Sequence, residues 1–259
     1  MNIVQITSSS FSFQLQDPDN LRIVGTVPYA TYLAALDAVN SLSADKANIE
    51  SDLTLSGLGR ETKRGPLFSR GWAALCNAYV AMARFEANVD ARDAALIALP
   101  SLAPSASAIA VEDAECRQIY RSLPTEERLR IQSAMANDPA AGEIYLRTQV
   151  AILRSPFPFP DEVTDFFTRM WRQTQRTRNV GEALAIDNDR LALQWGLSGL
   201  AHLFGAMKLI TGWQASTIAR FVVADSTRII AARLMGISDM EVATEEARND
   251  PTHQTRRMA

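Results

Sequence analysis

Apolar side chains recur at intervals of three and four residues over most of this chain, and that interval limits the fold more than any other feature of the sequence. From Pro28 onwards it places apolar residues on one face of successive helices. The clearest stripes consist of Tyr29, Tyr32, Leu33, Leu36 and Val39, of Trp72, Leu75, Cys76, Tyr79 and Met82, and of Leu193, Leu197, Leu200, Phe204 and Met207. Short proline-marked connections favour antiparallel packing of neighbouring helices. The sequence therefore predicts a mainly α protein, a multi-helix array of about eight helices.

The N-terminal residues follow a different pattern, because apolar and polar side chains alternate there. Two alternating runs, separated by the turn-forming residues 17–20, contain Phe11, Phe13 and Leu15 and then Leu21 and Ile23. This pattern predicts a short β-hairpin arm. An isolated hairpin is marginal in water, so the arm must lie on its own helical body or pair with another chain.

The stretch from Pro100 to Ala108 is the clearest break in composition, since it is rich in proline, serine and alanine. We interpret it as a linker. The predicted regions are a β-hairpin arm over 1–27, an N-terminal helical region over 28–99, a C-terminal helical core over 111–248 and a polar tail over 249–259. The tail is too polar to fold alone.

Glycine and proline lead to three local predictions. Residues 43–68 contain Gly57, Gly59 and Gly65 and are predicted, after a short helix, to form a loop. After Ser155, residues 156–160 alternate proline with phenylalanine, so the run 155–160 is predicted to form an extended strap that lays Phe157 and Phe159 on the core. In the helix predicted over about 189–211, glycines allow close approach by neighbouring helices. These are Gly196, Gly199 and Gly205.

Charge and cysteine content exclude several classes of protein. The 26 basic and 29 acidic residues give a net charge of −3, which argues against bulk attraction to nucleic acid or to an anionic membrane.

Cys76 and Cys116 form no CxxC motif and are predicted to be buried thiols in a reducing compartment. The N-terminus lacks the build of a signal peptide, so we expect a protein that is not secreted by this route. Residues 191–207 carry no formal charge, but glycines and polar residues favour a core helix over a membrane span.

A search for catalytic and cofactor motifs is negative. The chain has no phosphate-binding GxxxxGK[ST] loop, no GxGxxG after a strand, no HExxH, no GxSxG and no paired-cysteine zinc pattern. We therefore predict no catalytic residue, no metal site and no cofactor. Asp187 and Asp189 could hold a divalent cation through oxygen ligands, but the same spacing is typical of a helix N-cap, which is the favoured interpretation.

His202 lies on a helix that is apolar on several faces, where a buried imidazole needs a hydrogen-bond partner. Asp225, on the inner stripe of the next predicted helix, is the best candidate. The sequence predicts a buried polar pair that sets the register of two packed helices, with a proton-transfer pair as the alternative.

Two groups of basic residues are candidate phosphate contacts. They comprise Arg60, Lys63 and Arg64 in the predicted loop and Arg169, Arg172, Arg176 and Arg178 in a predicted helix over 161–178. The second group also follows from helix electrostatics alone, because acids begin that helix and arginines end it, as the macrodipole favours.

Two classes of function stay open. The first is a non-enzymatic structural or assembly protein in a larger multi-subunit particle, such as a tailed-phage virion or its head-to-tail connector. Its partners would be other protein subunits, in a homo- or hetero-oligomer formed through residues 1–27 and the C-terminal tail. The second is a helical enzyme or small-ligand-binding domain with a pocket near His202 and Asp225. A nucleic-acid accessory protein is a lesser alternative. The expected location is a virion or the cytoplasm.

Overall fold

A computed structural model describes the backbone of residues 3–7, 12–16, 23–103 and 105–237, and the side chains of residues 23–103, 105–138 and 142–237. Within these ranges the chain is mainly α-helical, which confirms the predicted fold class. Ten α-helices are present there instead of about eight. The difference arises because two predicted helices are each divided in two, at Tyr145 and at Asp225.

The helices alternate between long and short segments. The first five are α1 (Val27–Ser51), α2 (Gly57–Leu96), α3 (Ser107–Ser122), α4 (Thr125–Asn137) and α5 (Pro139–Ile144). They are followed by α6 (Leu146–Leu153), α7 (Asp161–Arg178), α8 (Val180–Thr211), α9 (Ala215–Val223) and α10 (Ile229–Leu234), with a 3-10 turn at Ser226–Arg228.

The β-hairpin arm predicted over residues 1–27 is not supported. The described backbone has two short antiparallel strands, β1 (Ile3–Thr7) and β2 (Ser12–Gln16), which pair with each other. The prediction of a strand at Ile23 is wrong, and Leu21 lies outside the described residues. Ile23 is instead buried at the turn before α1, where its carbonyl accepts a 2.6 Å hydrogen bond from Thr26 Oγ1. No strand occurs over residues 23–103 and 105–237.

The predicted turn at 17–20 and the predicted tail over 249–259 lie outside the described residues, as do residues 238–248. None of the described helices has the length and apolar character needed to cross a membrane.

The chain divides into two compact units at points that differ from the predicted linker. Unit 1 comprises residues 1–89 and 188–259, and unit 2 comprises residues 90–187. Both boundaries fall within helices, in α2 and in α8. The proline-rich segment lies wholly inside unit 2, where two side chains hold its start. Trp171 Nε1 donates a 2.7 Å hydrogen bond to the Ile97 carbonyl, and the Arg154 guanidinium donates to that of Pro100.

Unit 1 is built on close contacts among α1, α2 and α8, and glycine permits them. A Cβ added at Gly199 would lie 2.6 Å from ring atoms of Tyr32 on α1, and one added at Gly196 would lie 2.7 Å from Met82 Cε on α2. These two glycines confirm the prediction of close approach. At Gly205 the prediction is wrong, because no atom of the described residues lies within 4 Å of an added Cβ.

Aromatic rings complete the unit 1 core near the end of α8. Trp72 stacks on Trp213 with ring centroids 5.8 Å apart, and Trp213 in turn contacts Phe221. Trp72 Nε1 donates a 3.2 Å hydrogen bond to Thr211 Oγ1. Lys46 Nζ donates to the Ile210 carbonyl at 2.8 Å, which places a cation at the negative end of the helix dipole.

Unit 2 has its own core among α3, α4, α6 and α7. Tyr120 is buried there, with its ring edge-on to those of Phe159 and Phe167. Its hydroxyl accepts a 2.9 Å hydrogen bond from Gln132 Nε2, and burial raises the pKa of Tyr120. The proline strap is therefore confirmed for Phe159 only, since Phe157 is exposed.

Residues 43–68 were predicted to form a short helix near 44–52 and then a loop; the helix is present as the end of α1, but the predicted loop is mostly helical. α1 continues to Ser51, and α2 begins at Gly57 after a short turn. Ser56 Oγ caps α2 by accepting a 3.1 Å hydrogen bond from the Gly59 amide. Leu67 and Phe68 are buried, so the apolar stripe of α2 begins earlier than the glycines suggest.

The glycine contacts lead to a stability prediction. Gly199→Ala should lower the free energy of unfolding by about 1–3 kcal/mol, because the new methyl group would overlap the Tyr32 ring. Gly205→Ala on the same helix is the matched control and should be neutral or stabilising by up to about 1 kcal/mol. Urea unfolding followed by circular dichroism measures both. Equal effects of the two substitutions would contradict the close approach.

Burial also predicts a pH dependence, because it raises the pKa of the Cys76 thiol to about 12 from a usual value of 9.0. The folded chain keeps the neutral thiol where the unfolded chain ionises. The resulting stability is fully present below pH 9.0 and is lost as the pH rises towards 12. Between pH 8 and pH 10 the parent should lose about 1 kcal/mol more unfolding free energy than Cys76→Ala. Equal losses would show that Cys76 keeps an ordinary pKa.

Candidate functional site

The predicted buried pair of His202 and Asp225 is not formed. His202 lies on an exposed face of α8, with Nδ1 2.7 Å from the Ser198 carbonyl oxygen. The Asp225 side chain caps the 3-10 turn, where it accepts hydrogen bonds from the amide and hydroxyl of Thr227 at 3.0 and 2.8 Å. These bonds lower the pKa of Asp225. The apolar stripe was misleading here because Asp225 competes with the helix for backbone donors and divides it.

The first group of candidate phosphate contacts lies in a helix and is partly engaged in the fold. Arg60 Nη2 donates a 3.0 Å hydrogen bond to the Asp52 carbonyl. Arg64 pairs with Glu61 at 2.7 Å and with Glu50 at 3.7 Å. Lys63 is exposed. These contacts tie α1 to α2 and leave Lys63 as the exposed cation of the group.

The four arginines of the second group, which look alike in the sequence, differ in their contacts in the structure. Arg176 is engaged on both sides: Nη1 donates to Asp93 Oδ1 at 3.0 Å, and Nη2 donates to the Asp187 carboxylate at 2.6 Å. Arg178 Nε lies 3.9 Å from Glu143 Oε1. Arg169 and Arg172 are exposed and make no hydrogen bond or ion pair with residues whose side chains the structure describes.

Arg169 and Arg172 line a surface groove of about 520 Å³ in unit 2, which we name the arginine groove. Its walls are the last turns of α7 and the first turns of α8. The lining also includes Gln173, Arg176, Thr177, Val180, Ala183, Leu184 and Asp187. Because Asp93 and Asp187 neutralise Arg176, the excess positive charge of the groove comes from Arg169 and Arg172.

The N-cap predicted at Asp187–Asp189 is wrong, because α8 begins at Val180 and both acids lie inside it. Asp187 is instead the partner of Arg176. In the described ranges no three His, Cys, Asp or Glu side chains come together as metal ligands would.

A second groove of unit 2, of about 550 Å³, is apolar, and sequence reasoning missed it. We name it the apolar groove. It lies between the proline-rich segment, α3 and the α5–α6 pair, and its apolar lining includes Leu102, Ile109, Ile144 and Val150. Ile144 is 76% exposed, and the lining also includes the charged residues Glu143, Arg147 and Arg154.

Ion pairs of the buried Asp113 connect the elements that form the apolar groove. The Asp113 side chain is 2% exposed and lies 3.3 Å from both Arg147 Nε and Arg154 Nη1. Arg147 also pairs with Glu112, and Arg154 also donates to the Pro100 carbonyl. Asp113 therefore joins α3, α6 and the proline-rich segment. Helical spacing could have found it, since Asp113 lies seven residues before the buried Tyr120 and so shares its face.

No protein family model, no curated protein and no solved structure matches this chain.

The network around Asp113 is testable by removing the carboxylate. Asp113→Ala should lower the free energy of unfolding by about 3 kcal/mol, because it leaves the largely buried Arg154 guanidinium without its acid. The matched control is Glu112→Ala, whose exposed ion pair with Arg147 should contribute less than about 1 kcal/mol. Thermal and urea unfolding measure both changes. A loss for Asp113→Ala no larger than that of the control would contradict the network.

Proposed function

We propose that this chain is a non-enzymatic structural subunit that assembles into a larger particle, of the kind found in a tailed-phage virion. The observation that carries the proposal is the apolar groove of unit 2. A protein that works alone exposes few contiguous apolar patches, because each one favours association in water. Here Leu102, Ile109 and Ile144 share one groove.

The groove has the composition of an interface. Leu102, Ile109 and Ile144 supply apolar surface, while Glu143, Arg147 and Arg154 supply charged groups. Apolar surface combined with charged groups is typical of protein–protein contacts. The buried Asp113 network holds two of those arginines, so the groove keeps its shape before a partner arrives. A preformed surface loses less conformational entropy on binding.

The partner that we propose for this groove is a second copy of the chain. Most soluble oligomers are closed homo-oligomers, in which one surface of each copy is buried against another copy. Burying Ile144 and its neighbours would contribute roughly 1–3 kcal/mol for each large apolar side chain.

Measuring molar mass by size-exclusion chromatography with light scattering tests the proposal. The parent protein should be an oligomer, and its mass should fall on dilution. The double variant Leu102→Asp/Ile144→Asp places two charges in the groove and should weaken association at least about 10-fold. Circular dichroism should show unchanged helicity, because both side chains reach solvent.

The matched control is Val111→Asp. Val111 is 58% exposed on α3 but does not line the groove, so this variant should associate like the parent. A parent that stays monomeric over the whole accessible concentration range would refute the proposed function. An oligomer unaffected by the groove variant would refute the groove as its site.

A further inference from the structure

The arginine groove carries charge that the fold does not use. Arg169 and Arg172 are three residues apart on α7 and so project from the same side of the helix. Neither pairs with an acid among the described side chains, although their neighbour Arg176 has two acidic partners. The groove is thus suited to an anionic group from outside unit 2.

The surroundings favour a short acidic segment over a long polyanion. Residues 90–187 carry fourteen acidic and eleven basic residues, so a nucleic-acid backbone extending beyond the groove would meet net negative charge. The groove also exposes apolar surface, with Val180 at 60% and Leu184 at 57% exposed. Its occupant should therefore combine carboxylates with apolar side chains over a few residues.

A segment of this same chain has that composition. Residues 238–248 contain Asp239, Glu241, Glu245 and Glu246 against a single base. Glu241 and Glu245 are four residues apart in the sequence, close to the three-residue separation of Arg169 and Arg172. Met240, Val242 and Ala243 flank Glu241 in the sequence and supply apolar side chains.

We infer that the arginine groove of one copy binds residues 238–248 of a second copy, with Glu241 and Glu245 pairing with Arg169 and Arg172. This inference rests on the proposed function, since it supplies a second contact in the assembly. The two surfaces differ, so the contact is heterologous. Repeated contacts of this type generate a ring where the rotation closes and a filament where it does not.

Charge reversal on each side tests the inference in the full-length chain. Arg169→Glu/Arg172→Glu sets an acidic groove against an acidic segment, and Glu241→Arg/Glu245→Arg sets a basic segment against a basic groove. Each variant alone should associate at least about 10-fold more weakly than the parent, because attraction becomes repulsion. Sedimentation velocity at low ionic strength and at 0.5 M salt should show the difference shrinking as salt screens the charges.

Mixing the two purified variants separates contact between copies from contact within one chain. In the mixture, the basic segment of one variant can bind the acidic groove of the other, and the acidic segment can bind the basic groove. The mixture should therefore recover the parental mass, with the two chains alternating. A mixture that behaves as the sum of its separate components would overturn the inference, as would a parental mass for either variant alone.

The matched control is Arg84→Glu/Arg130→Glu, which reverses two exposed arginines outside the groove and should associate like the parent. If this control weakened association as much as the groove variant does, the inference would also be overturned. A monomeric parent protein would instead refute the proposed function. An oligomeric parent that Leu102→Asp/Ile144→Asp weakens, but that groove charge reversal does not, would reject this contact alone.

Discussion

The close approach of α8 to α1 and α2 is the constraint on which unit 1 depends. At Gly196 and Gly199 the neighbouring side chains occupy the volume that a Cβ would need, so the helices could not keep this separation with any larger residue. Glycine weakens an isolated helix by roughly 1 kcal/mol relative to alanine. The packing of Tyr32 and Met82 against the bare backbone must offset that cost, and both side chains are fully buried there.

Unit 2 relies more on polar contacts than unit 1 does. Its core is smaller, and Asp113 and Asp93 are buried beside it, each with arginine partners. Buried ion pairs cost desolvation and contribute less net stability than apolar packing, but removing one partner is costly because it leaves the other charge buried and uncompensated. The start of the proline-rich segment is held in place by hydrogen bonds from Trp171 and Arg154.

Much of this fold could be predicted from apolar spacing, and the errors have physical causes. The bounds of α7 agree with the predicted helix over 161–178, because proline before it and the charge order along it favour the same ends. The predicted hairpin arm is not supported, because alternation over a few residues does not specify which strands pair. Residues 57–68 are helical despite three glycines, since capping by Ser56 and the burial of Leu67 and Phe68 outweigh their low propensity. His202 was assigned to the core because its helix is apolar on several faces, which leaves the buried face ambiguous.

The candidate site was harder to predict than the fold, because interface residues and core residues obey the same periodicity. Ile109 and Ile144 look like ordinary core positions in the sequence, and only the packing of the other helices shows that water reaches them. The four arginines of α7 also look alike in the sequence. They differ in whether an acidic side chain of another helix lies close enough to form an ion pair. Asp93 lies more than 80 residues before Arg176, so no local pattern could reveal the pairing. The features that point to assembly are thus set by long-range contacts, which a local reading of side-chain types does not contain.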